Sequence, residues 1–141
     1  MNCSLCDRVK LTEEKKYPYL IHEFTHSFLM LGEHQFFKGY CVLVAKGHFK
    51  EMTDMPEKMQ AEMFQEMMTV SKTLEGHFQP SKMNLCSLGN VVPHVHWHFF
   101  PRYSDDPQFT DPPWLRMPQF ESAKVTPEEA RELIEILKRL F

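Results

Sequence analysis

The chain has 141 residues, 43% of them hydrophobic, which is enough for one domain around one sizeable core. A net charge of -3 and a pI near 6.2 argue against non-specific nucleic-acid or anionic-membrane binding. No apolar run approaches the roughly 20 residues of a membrane span, and the opening M-N-C-S-L-C-D-R lacks the basic-then-apolar order of a signal peptide.

Cys3 and Cys6 form a C-x-x-C at the start of the chain. Four cysteines without a secretory signal point to reduced thiols or a metal site in a cytoplasmic protein. No helix pattern follows the pair closely, which argues against a redox C-x-x-C. Tyr17 to Leu31 is rich in Tyr, Ile, Phe and Leu and breaks near Thr25, as two strands or a hairpin would. Gly32 to Gly39 reads as a connection. Tyr40 to Ala45 is a continuous apolar run, the pattern of a central strand buried on both faces. Asp54 and Pro56 predict the cap and first turn of a long helix ending near Gly76, with Met59, Met63, Met67, Val70 and Leu74 as its core stripe.

Met83 to Ser87 reads as a short strand, Gly89 to Pro93 as a tight connection and His94 to Tyr103 as a strand. Ser104 to Lys124 is proline-rich and without clear period, and a loop of that length is usually functional. Thr126 to Glu129 predicts a capping box for a last helix with Leu133, Ile134, Leu137 and Leu140 facing inward. The fold class is α+β, a mainly antiparallel sheet with one long helix and a carboxy-terminal helix. Residues 1–103 form the domain core, and residues 104–141 an arm and helix packed on the same domain.

The stretch from Pro93 to Arg102, P-H-V-H-W-H-F-F-P-R, carries the chemistry. Residues two apart on a strand share a face, about 7 Å apart. One face would therefore present His94, His96 and His98 while the other buries Val95, Trp97 and Phe99. Three imidazoles on a face have two uses: binding a metal, or covalent catalysis by a histidine neutral and nucleophilic near pH 7.

H-V-H-W-H-F-F resembles the signature of the histidine-triad (HIT) family, and separated motifs match it in the same order. Asn84, Gly89 and the Pro101-Arg102 pair stand where the family has an asparagine, a glycine and a proline-arginine. Lys38 to Phe49, K-G-Y-C-V-L-V-A-K-G-H-F, is similar to the family's P-G-H-x-L-V-I-P-K-x-H segment. The resemblance implies a HIT-like fold with a five-stranded sheet, a homodimer, and a nucleotide cleft beside the histidine strand. It implies nucleotidyl transfer or hydrolysis at an α-phosphate. His96 would attack phosphorus, His98 would assist at the bridging oxygen, and His94 would brace the site. Asn84, and Asn90 with the amides after Gly89, would hold phosphate oxygens, and Glu33 would hold the ribose. L-G-N-V-V-P-H-V-H-W-H resembles the bacterial diadenosine-tetraphosphate-hydrolase-like branch.

There are two departures from the family pattern. Asn90 stands where many members have glutamine, and Tyr40 where many have a further histidine, whose acid–base work a phenol cannot take over at neutral pH. The resemblance also suggests His48 and His94 as partners of Cys3 and Cys6 in a structural zinc site, since the C-x-x-C supplies only half a tetrahedron. Asp105, Asp106 and Asp111 could gather a divalent ion with substrate phosphates, or be plain turn acids. Arg102 could reach a phosphate or form a structural ion pair. Trp114 could stack on a nucleobase, lie on a partner subunit or cover its own core. Two competitors remain: a nucleotide-binding regulatory module with weak turnover, and a metalloenzyme with His94, His96 and His98 on one zinc.

Overall fold

The computed structural model describes residues 2–141. Its centre is a five-stranded antiparallel sheet in the order β1-β2-β3-β5-β4. The strands are β1 (Leu20–Glu23), β2 (Ser27–Leu31), β3 (Cys41–Ala45), β4 (Lys82–Cys86) and β5 (His96–Arg102). The helices are α1 (Ser4–Glu13), α2 (Glu57–Phe78), α3 (Met117–Phe120) and α4 (Pro127–Lys138). The apolar run Cys-Val-Leu-Val-Ala is β3, the middle strand, with every residue buried.

Alternation divides the sheet's side chains between two cores. Leu29, Leu31, Cys41, Leu43 and Phe99 pack with Met63, Met67, Val70 and Leu74 of α2 and with Ala130, Ile134 and Leu137 of α4. Phe28, Met30, Val42, Val44 and Phe100 face the other way, against Leu5 and Val9 of α1 and Trp114 and Phe120 of the arm. The methionine stripe is therefore core, and Trp97 packs on the helix face, away from the histidines. No helix among the described residues is long and apolar enough to cross a membrane.

Several boundaries differ from the sequence expectation. Asp54 caps a separate 3-10 turn, Met52–Asp54, by accepting the Glu51 N–H, and Pro56 sits at the N-cap position of α2. That helix runs past Gly76 and stops at Gln79, whose backbone is left-handed (φ 48°) immediately before Pro80. The capping box of α4 forms as expected, Thr126 Oγ1 accepting from Glu129 N and Glu129 Oε2 from Thr126 N. Leu140, expected inside, is 38% exposed, and Ala130, one turn before Ile134, is buried. A helix does follow the C-x-x-C: α1 starts at Ser4, with Cys3 at its N-cap position. Its polar composition hid the short stripe Leu5, Val9 and Thr12, all buried.

Candidate functional site

β5 pairs with β3 so that His96 lies opposite Val44 and His98 opposite Val42, on the α1 side of the sheet. The two rings are 4.8 Å apart at 77°. His94 is not on the strand. The chain bends ahead of His96, the His94 N–H returns to the Val92 carbonyl (2.8 Å), and Val95 N–H bonds Phe49 O (2.8 Å). Pro93, which has no N–H, cannot extend the ladder. Val95 still packs on the helix side with Trp97 and Phe99, and the His94 ring reaches the α1 side, where Cys3 and Cys6 lie.

The His94 ring goes to the cysteines. Its Nδ1 lies 3.5 Å from the sulfurs of Cys3 and Cys6, and its Nε2 donates to Ala45 O (2.8 Å). His48 Nδ1 lies 3.2 Å from Cys6 Sγ. The four ligand atoms are all within 4.8 Å of one another, and they form the group able to hold a metal among the described residues. An N···S edge of a tetrahedron with zinc bonds of about 2.3 Å to sulfur and 2.0–2.1 Å to nitrogen is about 3.5 Å. The donor set and spacing therefore fit zinc, with protein filling all four positions. The Ala45 carbonyl orients His94 as an outer partner orients a ligating imidazole. His96 and His98 are not part of this group, so the arrangement does not support three histidines on one ion. Nor do the aspartates gather a cation. Asp106 is bound by Arg102 and Asp111 by Arg116.

The remaining polar groups on the face are oriented by neighbours. His96, 8% exposed, directs Nδ1 to the His94 carbonyl at 2.6 Å, and no hydrogen bond from the described residues engages its Nε2. His98 Nδ1 lies 2.8 Å from the hydroxyl of Tyr40. Burial, then the charges of His96 and His34, draw the His98 pKa down to about 3, so it is neutral at physiological pH. Asn84 on β4 accepts from Arg102 Nη1 through Oδ1 (2.9 Å), and its side-chain N–H groups have no hydrogen-bond partner among the described residues. Arg102 itself is 1% exposed and fully engaged, so it is a structural cation and not a phosphate ligand. Gly89 is left-handed (φ 71°), and Asn90 stands exposed beside it in the loop leading to His94.

Glu33 lies in a small cavity of about 180 Å³ lined also by Arg8, Gly32, His34 and Tyr40, and its carboxylate pairs with Arg8 at 2.6 Å. The arm closes over the face beside it. Trp114 stands edge-on to His98, with centroids 4.8 Å apart, and to Phe100 at 5.5 Å. Phe120 stacks on His34 at 3.9 Å, and His34 stacks on Tyr40 at 4.6 Å. No spacing in the sequence joins His34 to a partner. The contacts of Tyr40, Trp114 and Phe120 are not legible in the sequence, because they join residues up to 86 positions apart.

Residues 13–105 match the HIT domain family. No match was found among curated proteins. Solved structures are similar over most of the chain. A histidine triad protein from Bradyrhizobium japonicum is 26% identical with a TM-score of 0.75, over 85% of this chain and 87% of that one. A Zn-bound histidine triad family protein from Mycobacterium smegmatis shares the fold at 21% identity and a TM-score of 0.63, over 100% and 99%. A diadenosine triphosphate hydrolase from Plasmodium falciparum shares it at 15% identity and 0.61, over 86% and 75%. With the family match spanning most of the domain and the alternating histidines laid on the strand beside the central one, the chain belongs to the histidine-triad (HIT) family.

Proposed function

We propose that the protein is a nucleotide hydrolase or nucleotidyl transferase acting at an α-phosphate of dinucleoside polyphosphates or related nucleotides, through a covalent nucleotidyl-His96 intermediate. The observation that carries this reading is the hydrogen bond from His96 Nδ1 to the His94 carbonyl. It keeps the ring proton on Nδ1 and leaves the Nε2 lone pair free to attack phosphorus. Asn84, its carbonyl held by Arg102, offers N–H donors to phosphate oxygens, and the amides after Gly89 with Asn90 complete the cradle. Glu33 accepts from the ribose hydroxyls at the other end. Water then attacks phosphorus and releases His96 and the nucleoside monophosphate.

Zinc on Cys3, Cys6, His48 and His94 would be structural, tying α1 to the residue whose carbonyl orients His96. A homodimer belongs to the same proposal, supported by the edge position of β4, which pairs on one side only among the described residues. A cytoplasmic setting is supported by four free cysteines, two of them in the ligand group. A second reading, a nucleotide-binding regulatory module with weak turnover, is favoured by one contact: Trp114 lies against His98 on the face a nucleotide would use.

A panel of adenine and guanine dinucleoside polyphosphates, assayed for release of monophosphate, tests the proposal. Turnover is expected, with loss of at least about 10³-fold in His96→Ala while nucleotide binding and the melting temperature hold. Comparable turnover by that variant overturns the covalent mechanism, and binding without turnover by the wild type selects the regulatory reading.

A further inference from the structure

Tyr40 is 5% exposed, and its ring is packed against two others. Phe100 stacks on it at 4.4 Å and 9°, and His34 at 4.6 Å and 25°. A methyl group at Gly32 would overlap the phenol ring, so glycine there makes the room for it. The phenol oxygen has one hydrogen-bond partner among the described residues, Nδ1 of His98. That bond has two possible directions. If His98 donated, the phenol O–H would be buried with no acceptor, which folded proteins avoid. If Tyr40 donates, the buried hydroxyl is paired, and the His98 proton sits on Nε2, which has no hydrogen-bond partner among the described residues and is not fully buried.

We propose that Tyr40 is a positioning and specificity residue: it locks His98 as a neutral Nε2–H hydrogen-bond donor, which suits the site to phosphoanhydrides and not to phosphoramidates. This rests on the covalent reading given above. In the first step the N–P bond forms at His96 Nε2 and the bond to the bridging oxygen breaks, its electron pair leaving on that oxygen. A polyphosphate departs as a stable anion and needs only the hydrogen bond from His98, which keeps its proton. An amine leaving group must be protonated as it departs. His98 could give up its Nε2 proton only if Nδ1 were resupplied, and the resupplier here is a phenol. Burial pushes the Tyr40 pKa above its ordinary value, which makes it a donor of hydrogen bonds and a poor source of protons. An imidazole in its place could relay one.

Two measurements on the full chain decide this. In ¹⁵N-histidine-labelled protein, long-range ¹H–¹⁵N spectra should show His98 protonated at Nε2, and Tyr40→Phe, which keeps the ring and loses the hydroxyl, should lose that single tautomer. In kinetics, kcat/KM for a diadenosine polyphosphate should exceed that for adenosine 5′-phosphoramidate. Tyr40→Phe should lower kcat on the anhydride by roughly 10- to 100-fold with KM little changed. Tyr40→His should shift the preference toward the phosphoramidate by at least about tenfold. An Nδ1–H tautomer in the wild type, an unaltered tautomer and kcat in Tyr40→Phe, or an unaltered preference in Tyr40→His overturns the proposal. If the wild type cleaves neither substrate, the hydrolase reading fails, and the spectra alone still decide whether Tyr40 sets the tautomer.

Discussion

Arg102 illustrates how a motif residue can be legible in sequence while its job is not. It follows the histidines in the place where an arginine suggests a phosphate, yet its guanidinium is spent inside the protein. Nε and Nη2 donate to Asp106 Oδ2 at 3.0 and 2.6 Å, and Nη1 and Nη2 reach Asn84, Asp111 O and Gln108 O at 2.8–2.9 Å. Phe37 packs on its face, 4.7 Å from ring centroid to guanidinium carbon. Burial would raise the Asp106 carboxyl, but hydrogen bonds from Arg102 and from the Gln108 N–H outweigh it and hold the group below its ordinary range. Removing one member of a buried pair strands the other, so Arg102→Leu should cost about 3–5 kcal/mol of stability in urea unfolding. It should also raise KM for nucleotides, because Asn84 loses the contact that aims its amide. A loss under about 1 kcal/mol would mean that water replaces the guanidinium without penalty.

Among the elements, α1 depends most on what lies outside it. A ten-residue helix with three buried positions is marginal alone. Burying Leu5 and Val9 contributes about 1.5–3 kcal/mol each, and its amino-terminal end carries the two thiols. If zinc joins those thiols to His48 and His94, Cys6→Ser should reduce bound zinc from about one equivalent per chain to near none. Limited proteolysis should then cut within α1 while leaving the sheet intact. Full zinc content in that variant would refute the ligand set. The arm behaves in the opposite way. Its sequence has no period, yet Trp114 and Phe120 fasten it to the histidine face through His98, Phe100 and His34.

For the whole molecule the consequence is acid sensitivity. Burial lowers the His34 pKa to about 4 and, with neighbouring charges, that of His98 to about 3, from ordinary values near 6.5. Between the folded and unfolded values the unfolded chain binds more protons, so stability rises with pH across that window. It is fully present above about 6.5 and is lost as the pH falls toward 4 and below. Melting temperatures from pH 8 to pH 4 should decline on the acid side, with chelator present throughout so that metal release does not add to the slope. His34→Phe, which keeps the stack on Phe120 and Tyr40, should flatten part of that decline. An identical slope would show that His34 is not held neutral by the fold.

Period and punctuation were enough for much of the molecule. The hairpin, the doubly buried β3, the methionine stripe of α2 and the capping box of α4 are local regularities, and each repeats with the geometry of its element. The alternation of His96 and His98 on β5 is local in the same sense. What local pattern could not decide was what His94 meets. A period of two puts it on the face of the other histidines, where it lies, but only the packing of α1 on that face brings cysteines some ninety residues away to its ring. The roles of Tyr40, Trp114 and Arg102 were equally out of reach. Tyr40 meets His98 and Phe100 some sixty residues on, and Arg102 is enclosed by the turn after it together with Asn84 on the neighbouring strand. Only the closing of the sheet and the folding back of the arm bring these groups within hydrogen-bond or stacking distance.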